Sequence, residues 1–128
     1  MFEKLSNLHK KCFPSKPWSA DDFRDLKKSG CEIIMSENGF IVYRIAVDEA
    51  EIITIGVNPD LRRRGIATAI IGIVEKTLKN QNVKKIFLEV ASTNIPAQKL
   101  YENCGFKTVG LRPKYYDGID AILMSKDI

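Results

Sequence analysis

Two stretches of the chain carry residue types whose spacing could do chemistry. In "KKIFLEVA", Lys84 to Ala91, Glu89 interrupts a run whose neighbours read as a buried strand. Strand alternation puts Phe87 and Glu89 on one face and Ile86, Leu88 and Val90 on the other. A carboxylate in such a strand is costly unless it is paired, hydrated or used. Glu89 is therefore either a candidate proton acceptor or the strand-end carboxylate of a structural ion pair. The second stretch is "VNPDLRRRGIATA", Val57 to Ala69, set between a strand-like run and a helical pattern. A helix start exposes unpaired N–H groups and a positive dipole end. A glycine there lets a ligand approach the backbone closely. Gly65 and Ala67 are small, Thr68 adds a hydroxyl, and Arg62, Arg63 and Arg64 supply charge, so the stretch reads as a phosphate cradle. The plain alternative is a surface charge run at the start of a core helix. No GxxxxGK[ST] or GxGxxG pattern is present.

These residues must be positioned by an ordered set of elements. Phe2 to Cys12 reads as a helix that "FPSKPW" breaks. Ser19 with Asp22 is close to a capping box for a second helix, Ala20 to Lys28, ending before Gly30. Cys31 to Ser36, Phe40 to Val47 and Glu49 to Val57 read as an antiparallel meander, turned first at Asn38-Gly39. From Gly65 the pattern changes: Ile66, Ile70, Ile73, Val74, Thr77 and Leu78 recur at helical spacing. After the Glu89 strand, "STNIPAQKLYENCG" carries cap candidates Ser92, Thr93 and Asn94, Pro96 in the first turn and Gly105 at the end. Ala97, Leu100, Tyr101 and Cys104 form its apolar face, which makes Tyr101 a core aromatic by pattern alone. "FKTVGL" and "AILMS" read as closing strands joined by a loop, "RPKYYDGID". The order implies an α/β (α+β) domain on one mixed sheet, with Ile52 to Val90 making its two strands parallel neighbours.

The totals narrow the function classes. A chain of 128 residues with 45% hydrophobic and 28% charged residues suits one globular domain, 1–128. A net charge of +4 suits an anionic ligand without demanding a polyanion. Cys12, Cys31 and Cys104 are odd in number and lack CxxC spacing, which argues against a disulfide scaffold and a zinc site and for a reducing cytoplasm. No signal peptide and no run of about 20 apolar residues is seen, so no membrane association is expected. The one histidine, His9, lies near the N-terminus, away from any serine or cysteine triad arrangement.

"VNPDLRRRGIATAII" resembles the pyrophosphate motif Q/R-x-x-G-x-G/A of the Gcn5-related N-acetyltransferase (GNAT) superfamily, matched by Arg62, Gly65 and Ala67. "FLEVASTNIPAQKLYENCGF" is similar to the LEV…N-x-x-A-x-x-LY-x-x-x-GF signature of the bacterial ribosomal-protein alanine N-acetyltransferases, the RimI group. "RPKYYDGIDAILM" continues the likeness, and "FPSKPWSADDF" echoes a F-P-W-S segment. The resemblance covers nearly the whole chain. It departs in the short N-terminus, which leaves the family's first edge strand missing or short, in the residues inserted into the F-P-W element, and at Ala91, where many relatives carry arginine.

The resemblance implies a GNAT-like mixed sheet with helices on both faces and acetyl-CoA as acetyl donor, with no metal. It implies that Arg62, Arg63, Arg64, Gly65, Ile66, Ala67 and Thr68 hold the pyrophosphate. The backbone of Ile55, Gly56 and Val57 would pair with the pantetheine arm and offer an N–H to the thioester oxygen, with Gly56 leaving room. Asn94, also a helix cap by position, would touch the same arm. Glu89 would be the base, acting through water, and Tyr101 the acid that protonates the leaving thiolate. Arg112, Tyr115 and Tyr116 would line the groove for a protein N-terminal peptide, that of a ribosomal protein. An α-amino group, with a pKa of about 7.7–8.0, needs only a modest base, whereas a lysine at about 10.4 needs more. A monomer or weak dimer without direct nucleic-acid contact is expected. The alternatives are a GNAT enzyme for lysine, polyamine or another small amine, a non-catalytic acyl-CoA-binding module, and a nucleic-acid binder using Arg62 to Arg64. The last is disfavoured because no aromatics are interleaved with its basic run.

Overall fold

A computed structural model describes residues 1–62 and 64–128, with the backbone alone of Tyr116. Arg63 and the Tyr116 side chain, both expected at the site, lie outside the described residues. The chain opens with α1 (Phe2–Cys12), whose Leu5, Leu8 and His9 point inward at helical spacing, and α2 (Ala20–Lys28). The expected capping box is present: Asp22 N–H donates to Ser19 Oγ at 3.1 Å, and Ser19 N–H donates to Asp22 Oδ2 at 2.8 Å. Then come β1 (Glu32–Met35), β2 (Gly39–Ala46), β3 (Glu49–Val57), a 3-10 turn (Pro59–Leu61), α3 (Ile66–Asn80), β4 (Lys85–Ala91), α4 (Ile95–Asn103), β5 (Lys107–Tyr116) and β6 (Ile119–Asp127).

The six strands form one sheet in the order β1-β2-β3-β4-β6-β5. Only β3 and β4 run parallel, as the strand–helix–strand unit between them requires. Among the described residues the sheet's first edge is β1. One apolar core lies between the sheet and α3 and α4, where Ile41, Ile52, Ile71, Val74, Leu78, Ile86 and Leu88 meet. A smaller core on the opposite face joins Leu5, Leu8, Phe23, Phe40 and Val42 under α1 and α2. No helix of the described residues is long and apolar enough to cross a membrane.

The closing hairpin corrects the sequence reading. "RPKYYDGID" is not a loop: β5 runs through Tyr116 and β6 begins at Ile119, leaving Asp117 and Gly118 as a two-residue turn. Both turn residues have positive φ, 46° and 88°, as a tight Asp-Gly hairpin turn requires. Lys114 also has positive φ (52°), and the β5–β6 register is irregular between Arg112 and Tyr116. Pro113 lacks a ladder donor, so the strand accommodates it at this irregularity. The Lys114 N–H is taken by Asp120 Oδ1 at 2.9 Å.

His9 fastens the segment between α1 and α2. Its ring is 2% exposed, stacks on Trp18 at 4.7 Å, and accepts the Trp18 N–H at Nδ1 (3.1 Å). Burial pushes its pKa below the ordinary histidine value, and the nearby Asp22 charge pulls partly the other way. The folded state therefore binds a proton less readily than the unfolded chain. Stability is full above the unfolded histidine value, about 6.5, and is lost as pH falls through the folded value. Thermal melts of the wild type and of His9→Gln should run parallel above pH 7 and converge or cross below about 6.5. Parallel curves down to pH 5 would remove His9 from the acid sensitivity.

Candidate active site

The candidate site lies where β3 and β4 part. Their pairing runs from Glu49↔Lys85 to Ile52↔Leu88 and no further among the described residues. On its other side β3 matches Val42 with Thr54 but Tyr43 with Ile52, so Ile53 is an extra residue, a β-bulge. A bulge bends its strand, and it sits where β3 leaves β4. From Ile53 to Val57 the β3 edge that faces β4 is left without a strand partner. Glu89 is the first residue of β4 beyond the pairing, at the crotch of this fork.

Side-chain directions follow the alternation expected. Ile86, Leu88 and Val90 are buried toward α3 and α4, while Phe87 and Glu89 face the other way, into an open groove of about 350 Å³. Arg44, Glu51, Phe87, Arg112 and Leu123 also line that groove. Glu89 Oε1 accepts from Arg112 Nη2 at 3.0 Å. Its Oε2 is buried and has no hydrogen-bond partner among the described residues. The ion pair that the sequence offered as one alternative is thus present, and it uses one of the two carboxylate oxygens. Arg112 lies 4.7 Å from the Tyr115 ring centroid in a cation–π contact, which fixes its direction.

Tyr101 is 8% exposed on α4 and packs edge-on against Phe106 at 6.0 Å. Ala97, Leu100 and Cys104 pack into the same core, as the helical face requires. Tyr101 therefore lies in the core under α3 and α4, whereas Glu89 faces the opposite side of the sheet. Asn94 caps α4, its Oδ1 accepting the Ala97 N–H at 3.2 Å.

The loop after β3 is tied back to the strand. Val57 O accepts from Arg62 Nε at 3.3 Å and from Cys12 Sγ at 3.2 Å. Arg62 thereby pins the loop, a task its charge alone did not reveal. Burial pushes the Cys12 thiol pKa up, and Arg62 draws it partly back. Gly65 is the residue before α3, with φ +77° and ψ 10°, and no side chain caps the helix. A Cβ at Gly65 would meet nothing within 4 Å. The first-turn amides of Ile66, Ala67 and Thr68 have no intrahelical acceptors. Arg64 and Thr68 are exposed; Ile66 and Ala67 are half-buried.

Gly56 has a different reason from the one its position suggested. A Cβ there would lie 2.6 Å from Phe40 Cε1 and 3.0 Å from Cys12 Sγ. The space beside Gly56 is filled by the α1/α2 core, so the glycine serves packing rather than leaving room for a ligand. Sequence reasoning also missed Gln98, whose Nε2 donates to Ala91 O (3.2 Å) and Ser92 O (3.0 Å) and holds the end of β4 to α4. It missed the ion pair between Lys16, in the α1–α2 segment, and Asp117, at the β5–β6 turn. Neither contact has a local spacing signature.

Residues 2–106 match the model of the Acetyltransferase (GNAT) family. The chain belongs to the GNAT acetyltransferase family. It is 32% identical to the Escherichia coli [ribosomal protein bS18]-alanine N-acetyltransferase, covering 88% of this chain and 82% of that protein. It is 40% identical to a Saccharolobus solfataricus N-alpha-acetyltransferase over 64% of this chain and 50% of that one. The crystal structure of the Escherichia coli ribosomal-protein alanine N-acetyltransferase superposes with a TM-score of 0.88 at 27% identity, over 99% of this chain and 87% of that one. The expected architecture, a mixed sheet with helices on both faces, holds.

Proposed function

We propose that the protein transfers the acetyl group of acetyl-CoA to the N-terminal α-amino group of a protein, that of the N-terminal alanine of a ribosomal protein. Glu89 is the base and Tyr101 the acid. The observation that carries this reading is the buried, unpartnered Oε2 of Glu89 at the crotch of the β3–β4 fork. The two curated relatives described above, one a ribosomal-protein alanine N-acetyltransferase and one an N-alpha-acetyltransferase, support it.

The residues present fit acetyl-CoA. The uncapped start of α3 with the open face of Gly65 suits a pyrophosphate. Arg64 adds field, and Arg62 holds the loop in place. The unpaired β3 edge at Ile55, Gly56 and Val57 suits an extended amide-bearing arm, and Asn94 lies at the α4 start beside the fork. When bound, acetyl-CoA supplies an activated acyl carbon. Glu89 takes one proton from the acceptor ammonium, and the nitrogen lone pair then forms the bond to that carbon. A β3 N–H stabilises the charge that develops on the carbonyl oxygen. As the C–S bond breaks, Tyr101 gives its proton to sulfur, and the second proton of the nitrogen returns through solvent to the phenolate. The sum is one amide, one thiol and one released proton. Arg112 and Leu123 of the β5–β6 pair line the groove proposed for the acceptor peptide, and Tyr115 packs on Arg112. The enzyme acts in the cytoplasm as a monomer or weak dimer.

Purified protein with acetyl-CoA should add 42 Da, the mass of about one acetyl group, to alanine-starting ribosomal-protein peptides, and little to N-blocked lysine peptides or polyamines. Intact-mass spectrometry reads this directly. Acetylation of the small amines alone would replace the peptide reading with the small-amine one.

A further inference from the structure

We infer that Arg112 makes this site selective for α-amino groups over lysine and polyamine amines by cancelling the charge of Glu89. The inference rests on the proposed N-terminal acetylation and goes beyond it to what sets its acceptor class.

Along one sheet row Arg112 pairs with Ala121, and Ala121 pairs with Ala91. Paired residues project to the same face, so Arg112 shares its row with two alanines. One row on, Gly110 pairs with Leu123 and Leu123 with Glu89. The small side chains of Ala121 and Ala91 leave Arg112 a path across β6 to Glu89 Oε1, at 3.0 Å. The guanidinium also lies over the Tyr115 ring, 4.7 Å from its centroid. The guanidinium takes one carboxylate oxygen and leaves Oε2 buried and unpartnered. The base therefore keeps one open lone-pair position, while the Arg112–Glu89 pair carries no net charge.

Arg44 and Glu51, which also line the groove, pair with each other at 2.8 Å, and Glu49 there is exposed and screened, so a Glu89 whose charge Arg112 cancels adds little that gathers ammonium ions. The acceptor must then bring its own neutral amine or lose its proton easily. At pH 7 roughly one α-amino group in seven is already neutral, against about one lysine amine in 2,500. A bare carboxylate would erase much of that difference by binding the ammonium form of either amine. Arg112 next to Glu89 disfavours a second cation and preserves it. Arg112 is thus a positioning residue: it acts through Glu89 and through the field at its open oxygen.

The test compares wild type, Arg112→Met and Arg112→Lys on an alanine-starting peptide and on an N-blocked lysine peptide, reading kcat and KM for each. The wild type should favour the α-amine. Arg112→Met should lower the α-to-ε ratio of kcat/KM by about tenfold or more, through a lower KM for the lysine peptide. Arg112→Lys, which keeps the charge, should hold the ratio near the wild type. A wild-type ratio in Arg112→Met, or a fall in Arg112→Lys as large as in Arg112→Met, would overturn the inference. A wild type that acetylates no α-amine is a separate result, seen before any variant is made, and it would overturn the N-terminal reading and this inference with it.

Discussion

Glu89→Gln should lower turnover by about 10²- to 10⁴-fold, the usual contribution of a positioned general base, while leaving acetyl-CoA binding close to wild type. The substitution suits this site. Glutamine keeps the shape of the side chain, and its carbonyl can still accept from Arg112 Nη2. Its amide nitrogen takes the place of Oε2, the oxygen with no partner in the described structure. Packing on β4 between Phe87 and Ala91 is unaltered, so the melting temperature should move little. Removing a buried acceptor's charge also removes an uncompensated desolvation cost, which offsets any weakening of the Arg112 contact. Steady-state kinetics with calorimetric titration of acetyl-CoA separate the two effects. A variant that turns over at the wild-type rate would leave Glu89 as the structural ion pair that its contact with Arg112 already makes it.

Much of the scaffold that places Glu89 is legible in local sequence. The bounds of α2 follow from Ser19, Asp22 and Gly30, each of which acts within a turn or two of its own position. The two faces of β4 follow from alternation alone. What is not legible is long-range. The bulge at Ile53 lies inside "EIITIGV", where every residue fits a strand and nothing marks the extra one. Without that bulge the fork could not be foreseen, nor that Glu89 stands at its crotch. Arg112 reaches Glu89 across β6, a contact that depends on strand order and on alanines at 91 and 121. Gly56 shows the reverse error. Its position beside the loop invited a ligand reading, but the ring of Phe40, from the neighbouring strand, is what excludes a side chain. The closing hairpin was misread because Pro113 and the tyrosines hid a two-residue Asp-Gly turn.

Gly65→Glu should abolish measurable acetyl-CoA affinity at concentrations where the wild type saturates, a loss on the order of 100-fold or more, or about 2.7 kcal/mol. The reasoning separates strain from charge. Gly65 has φ +77°, a left-handed conformation that costs a residue with a Cβ roughly 1–2 kcal/mol. Beyond its chain neighbours, no described atom lies within 4 Å of where that Cβ would go, so crowding adds little. A carboxylate just before α3 is also favourable to the helix dipole, by about 0.3–1 kcal/mol, which offsets part of the strain. The fold should therefore survive with a modest fall in melting temperature. In the proposed cradle, the new carboxylate takes the first-turn amides of α3 and repels the pyrophosphate that would use them. Gly65→Ala carries the same backbone strain without the charge, and it should retain most of the affinity. Arg64→Ala removes one exposed charge and should cost less than Gly65→Glu, because exposed charges are screened by solvent and salt. Isothermal titration of the three variants ranks them. If Gly65→Glu binds as well as Gly65→Ala, the anion lies elsewhere, and the arginine run is a solvated surface at the head of a core helix.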